Sequence, residues 1–127
     1  MEFQKYKQYS DLVIVGGGLP GIAAAITAAR FGLTVSLINN RGFVGGNTSA
    51  EIGVGVNGAD ASNEFNFYAR ETGIMGEMYI NNLYRNPQGN RYHWDTVLME
   101  MIQKEKNITL FLNTHIDSVV VGGDHTT

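Results

Sequence analysis

The stretch Asp11-Leu-Val-Ile-Val-Gly-Gly-Gly-Leu-Pro-Gly-Ile-Ala-Ala-Ala25 decides the fold, because it sets a glycine-rich turn between an apolar run and a run of small residues. Leu12 to Val15 are uninterruptedly apolar, as expected of a parallel strand buried on both faces. Pro20 suits a first helical turn, where its missing N–H costs nothing. Ala25 follows Gly21 by one helical turn, so both small residues share the face that approaches the sheet. Gly16 allows the tight turn out of the strand, Gly18 lets backbone approach a phosphate with no side chain in the way, and Gly21 lets the helix pack closely. The spacing predicts a dinucleotide site, with Leu19 and Pro20 opening a helix whose N–H groups and positive dipole end face the phosphates. A strand–turn–helix unit with an empty glycine turn is the simpler alternative.

Working outward, Gly32 ends the helix after Arg30 and Phe31, with positive charge near its C-terminal end. A second strand is predicted over Thr34 to Ile38. The chain has 127 residues, 43% hydrophobic and 17% charged, enough for one domain with a core. A formal charge of -3 gives no support for nucleic-acid binding. With no cysteine, disulfides, redox dithiols and thiolate metal sites are excluded. Met1 to Ser10 carry no apolar signal core, and no run approaches the roughly 20 apolar residues of a membrane span. Read as it stands, the chain is expected to be cytoplasmic, a removed leader aside, and to make no membrane contact.

After the second strand comes Asn39-Asn-Arg-Gly-Phe-Val-Gly-Gly-Asn-Thr-Ser-Ala50. The stretches Gly42–Gly46, Ala69–Ile74 (ARETGI), Arg85–Pro87 (RNP), Trp94–Leu98 (WDTVL) and Asn107–Thr114 then recur in a known order. Together with the first glycine turn, this pattern resembles the N-terminal part of the FAD-dependent oxidoreductases with a glutathione-reductase type of FAD-binding fold. The likeness is greatest to a bacterial branch in which some members are labelled xanthan lyases, and it covers residues 10 to 122.

The resemblance implies an α/β fold, Rossmann-like and three-layered with a parallel sheet, here incomplete, and FAD as cofactor. It places Gly16, Gly18, Leu19, Pro20 and Gly21 at the pyrophosphate. Gly45, Gly46, Asn47 and Thr48 would run along the pyrophosphate and ribityl chain, where a flexible loop is the alternative. Asn39, Asn40 and Arg41 would lie at the adenosine ribose, and Ile116 at the adenine edge. Asn39 departs from the family, which usually carries Glu or Asp there. A neutral amide accepts more weakly than a carboxylate, by about 1 kcal/mol, so Asn39→Asp is expected to tighten FAD. Asn39 also removes a repulsion against a 2′-phosphate, with Arg41 nearby, which keeps an NADP-type ligand as an alternative. A plain strand-end turn residue is the other alternative for Asn39.

Two helices are expected between the glycine loop and a third strand, Ile108 to Leu112. Gly73 and Gly76 break the pattern from Glu64 to Asn82, so one helix is predicted to end near Gly73 and another to start near Gly76. From Trp94 to Lys106 the apolar stripe Trp94, Val97, Leu98, Met101 and Ile102 predicts a crossover helix, with Glu100, Gln103, Lys104 and Glu105 facing water. Ser118 to Val121 followed by Gly122-Gly-Asp124 reads as half of a hairpin. His93, His115 and His125 carry no spacing signal for metal binding or acid–base work.

Residues 1–127 are therefore expected to be the N-terminal part of an FAD-binding domain, contributing to a flavin oxidoreductase but inactive alone, with catalytic residues and substrate unspecified. An open sheet edge is expected to promote self-association. The alternative is a stand-alone nucleotide-binding or interaction module without redox activity.

Overall fold

The computed structural model describes residues 6–59 and 68–122. Three strands, β1 (Leu12–Val15), β2 (Val35–Ile38) and β3 (Ile108–Phe111), form a parallel sheet in the order β1-β2-β3. The helices are α1 (Leu19–Arg30), α2 (Gly73–Arg85) and α3 (Arg91–Lys104), and a 3-10 turn spans Gly46–Thr48. Parallel strands need crossovers, and right-handed crossovers stepping in one direction put their helices on one face. Accordingly α1 and α3 pack on each other and on the sheet, while α2 packs outside them.

Local chemistry sets the element ends. The Asp11 carboxylate accepts from both the Thr34 N–H and hydroxyl at 2.8 and 2.6 Å, and the Asp11 N–H donates back to the Thr34 hydroxyl, aligning the starts of β1 and β2. The Thr34 hydroxyl and then its N–H hold the Asp11 carboxyl below the ordinary carboxylate range. At the end of α1, the Gly32 N–H reaches the Ala29 carbonyl and the Leu33 N–H the Ala28 carbonyl. That is a Schellman closure, and its left-handed position is Gly32 at φ +91°.

Register assigns the two sheet faces. Leu12, Val35 and Ile108 align, as do Ile14, Leu37 and Leu110, beneath the helices. The core there joins Ile22, Ile26, Leu37, Leu98 and Ile102, all essentially without solvent contact. On the opposite face Val13 aligns with Ser36 and Thr109, and Val15 with Ile38 and Phe111. No described element covers that face, and Val13 and Val15 are 55% and 62% exposed. Among the described residues β1 pairs only with β2, so its other edge is open.

Strand and helix positions follow the sequence expectation closely at β1, α1, β2, α3 and β3. The middle segment departs from it. One helix runs from Gly73 through Gly76 to Arg85, where an end and a new start were expected. Gly73 begins this helix in a left-handed conformation, φ +59°. Gly76 answers a tertiary need, since a Cβ there would stand 2.9 Å from the Glu71 carbonyl oxygen as the chain enters the helix. Glu64 lies outside the described residues, and Tyr68 to Thr72 form no helix. Ser118 to Val121 form no strand, and Gly123, Asp124 and His125 lie outside the described residues. Glu100 and Glu105 do not simply face water, because Glu100 pairs with Arg85 and Glu105 with Arg30.

Candidate functional site

Each glycine of the first turn has its own physical reason. Gly16 has φ +111°, a conformation L side chains rarely adopt. A Cβ on Gly17 would press on the Asn39 side chain at 3.0 Å, and one on Gly21 would sit 1.9 Å from the Gly16 carbonyl oxygen. Gly18 is different. Its backbone is extended, φ -73° and ψ 173°, and a Cβ would meet only Pro20 Cδ at 3.8 Å. The chain's own packing does not require glycine at 18, which leaves a clear approach to the backbone from outside. The adjoining start of α1 has no side-chain cap and no acidic residue in its first turn. The Gly21 N–H group has no partner among the described residues.

The second glycine turn is built onto the first. The Gly45 N–H donates to the Gly17 carbonyl at 2.7 Å, and Gly18 and Gly45 form a parallel bridge. Gly45 and Gly46 are both left-handed, at φ +106° and +59°, and the 3-10 turn Gly46–Thr48 follows at once. Asn39 stitches the same region from below. Its Oδ1 accepts from the Gly17 N–H at 3.1 Å, and its Nδ2 donates to the Phe43 carbonyl at 2.6 Å and, more weakly, to the Arg41 carbonyl at 3.4 Å. The Asn113 and Thr114 N–H groups donate to the Arg41 and Asn39 carbonyls, which brings the end of β3 alongside.

α3 supports the second turn through side chains. The Trp94 indole N–H donates to the Thr48 hydroxyl at 3.0 Å, which in turn donates to the Gly45 carbonyl at 2.9 Å. Both oxygens of the buried Asp95 carboxylate accept from the Ala50 N–H, at 3.0 and 3.1 Å. Burial pushes the Asp95 carboxyl above the ordinary carboxylate range, and the Ala50 bond offsets this only in part. Leu98 lies under Gly45, where a Cβ would come within 3.1 Å of it. α3 begins at Arg91 because Asn90 caps it, its Oδ1 accepting from the Tyr92 N–H at 2.8 Å and the His93 N–H at 3.4 Å.

The structure thus brings Gly16, Gly18, Leu19, Pro20 and Gly21 together with Gly45, Gly46 and Thr48. Asn39 is buried with its amide engaged by backbone, whereas Asn40 and Asn47 are exposed. Arg41 is paired to Glu51 at 2.7 Å. Ile116 is half-buried, two residues beyond Thr114. His93 and His115 are exposed. Trp94 and Asp95 were missed as site residues. The buried Trp94 carried a signal, since an indole N–H inside a core needs an acceptor, but nothing in sequence pointed to Thr48.

A three-stranded parallel sheet with helices in its crossover connections, and a glycine turn joining β1 to α1, defines a Rossmann-like α/β protein. The sequence profile of the family described as FAD dependent oxidoreductase matches residues 11–127, and the chain belongs to that family, whose cofactor is FAD. No curated protein matches the chain. Among solved structures it is similar to L-proline dehydrogenase from P. horikoshii, with 22% identity and a TM-score of 0.40 over 88% of this chain. The chain spans 17% of the length of that dehydrogenase. No helix among the described residues is long and apolar enough to cross a membrane.

Proposed function

We propose that this chain forms the part of a flavin-dependent oxidoreductase that binds the ADP moiety and pyrophosphate of FAD. The observation that carries the reading is Gly18, a glycine that the fold's own contacts do not demand, at the uncapped start of α1. A pyrophosphate over Gly18 would receive the Gly21 N–H group and the positive end of the helix dipole. Gly45, Gly46, Asn47 and Thr48 would extend that contact toward the ribityl chain, their positions held by Trp94 and Asp95. Bound FAD supplies hydride or electron transfer, and the protein supplies position and electrostatics.

Asn39 serves this site by fixing the turn. Its Oδ1 is taken by the Gly17 N–H, so its main role is to couple the two glycine turns, with Asn40, Arg41 and Ile116 at the adenosine end. The Arg41–Glu51 pair argues against a 2′-phosphate pocket, because Arg41, the cation close to Asn39 in sequence, is already paired with a carboxylate. An NADP-type ligand is therefore the weaker reading. Competition decides between them. Free flavin fluorescence is followed as the protein is added, and ADP and 2′,5′-ADP are then compared as competitors. ADP is expected to displace FAD at least about tenfold more effectively. Stronger displacement by 2′,5′-ADP would overturn the FAD assignment.

A further inference from the structure

A cavity of about 310 Å³ lies between the Gly53–Val56 segment, the C-terminal part of α2 and the start of α3. Its side-chain walls include Thr48, Tyr79, Asn82, Asn86, Arg91 and Trp94, and no carboxylate lines it among the described residues. That volume suits a small ligand. Its charge is one-sided. Arg30, Arg41 and Arg85 each pair with a glutamate. Arg91 has no ion-pair or hydrogen-bond partner among the described residues.

The Arg91 guanidinium lies across Gly53. A Cβ on Gly53 would stand 2.6 Å from Arg91 Nη1, and the backbone there is left-handed at φ +73°. Both facts require glycine at 53 if the guanidinium is to hold this place. Other polar groups around the cavity are committed. Asn86 Nδ2 donates to Asn82 Oδ1 and to the Asn90 carbonyl, and Asn86 Oδ1 accepts from the Asn90 N–H. The first amides of α3 are taken by the Asn90 side chain. The Asn82 Nδ2 remains as a donor among the residues lining the cavity with Arg91.

We propose that this cavity holds a small organic carboxylate, the acid group of the enzyme's substrate, on the Arg91 guanidinium with the Asn82 amide as second donor. A planar guanidinium matches a carboxylate through two parallel N–H···O bonds, and among the described residues none of the cavity's side chains is acidic and in competition for it. The assignment of this carboxylate as substrate rests on the cofactor reading of the Gly45–Thr48 turn, since Thr48 and Trp94 belong both to that turn's support and to the cavity wall. An inorganic oxyanion shares the same chemistry, so the test carries an arm for each.

Trp94 is the single tryptophan of the chain, so its emission reports on the cavity. The full chain is titrated with propionate, with inorganic phosphate and with chloride at constant ionic strength. Propionate is expected to give a saturable change in emission, with the apparent Kd raised at least about tenfold in Arg91→Gln and unchanged in Arg70→Gln, an exposed arginine outside the cavity. Asn82→Asp, which adds a carboxylate to the cavity wall that Arg91 shares while leaving Arg91 in place, is expected to abolish the response and decides the matter if Arg91→Gln fails to fold. Saturation by phosphate but not propionate, or a response indifferent to both substitutions, overturns the proposal. FAD binding is measured on the same samples. A chain that binds FAD but shows no Arg91-dependent response overturns the carboxylate site alone. Failure to bind FAD overturns the cofactor reading and with it the assignment of the carboxylate as substrate.

Discussion

Gly18 and Gly45 face each other backbone to backbone as a parallel bridge, so the turn after β1 and the turn after β2 form one surface. A Cβ on Gly46 would come within 3.2 Å of Gly18 Cα, which shows how closely the two turns approach. The surface is held from one side by Asn39 and from the other by α3. Damage to either support should therefore reach the turns without touching them.

Asn39→Asp tests the first support. Sequence comparison alone predicts tighter FAD, but the Asn39 Nδ2 donates to the Phe43 carbonyl, and a carboxylate oxygen placed there would face that carbonyl unpaired. The substitution is expected to cost about 1–3 kcal/mol in urea unfolding and to leave FAD affinity equal or weaker. Tighter FAD binding with unchanged stability would restore the direct ribose role.

Asp95 tests the second support through pH. Its carboxyl is held above the ordinary range by burial, so the folded chain retains a proton that the unfolded chain releases. That contribution to stability is present below the unfolded carboxylate pKa and is lost as pH rises through the raised folded value. Asp95→Asn cannot ionise and keeps an oxygen for the Ala50 N–H. It should match the parent in acid and exceed it in thermal unfolding at neutral pH. Asp95→Ala leaves the Ala50 N–H without its acceptor and should cost about 1–3 kcal/mol in acid, a cost that shrinks as pH rises through the raised folded value. A parent that gains stability on Asp95 as pH rises would contradict this.

The exposed valines of β1 give a prediction about association. Val13 and Val15 project from an open-edged strand onto a surface no described element covers. The 127-residue chain is expected to self-associate, and the double substitution Val13→Thr with Val15→Thr, which keeps β-branched side chains, should shift it toward monomer in sedimentation velocity. Equal association of parent and variant would place the contact elsewhere.

Much of this architecture was legible because its causes are local. The apolar run Leu12–Val15, the glycines at 16 and 21 and the Gly32 closure each act within a few residues, and the Trp94-to-Ile102 stripe is periodic in itself. Gly76 was misread as a helix break, since its reason is the Glu71 carbonyl packed against it. Asn39 was read from its place at the end of β2 as a ribose acceptor or a strand-end turn residue, and its long-range bonds to Gly17 and the Phe43 carbonyl were not visible there. The Trp94–Thr48 and Asp95–Ala50 bonds join segments far apart in the chain, and no local pattern encodes such pairings. The position of Arg91 over Gly53 is of the same kind.

The central claim, that Gly18 is glycine for the sake of a phosphate, is tested most directly by FAD titration of Gly18→Val beside Gly21→Ala. A Cβ at 18 meets nothing closer than 3.8 Å, whereas one at 21 would stand 1.9 Å from the Gly16 carbonyl oxygen. Gly21→Ala is expected to lose about 3 kcal/mol or more of stability. Gly18→Val is expected to unfold within about 1 kcal/mol of the parent while its Kd for FAD rises at least about a hundredfold. A folded Gly18→Val protein that binds FAD as tightly as the parent would contradict the account.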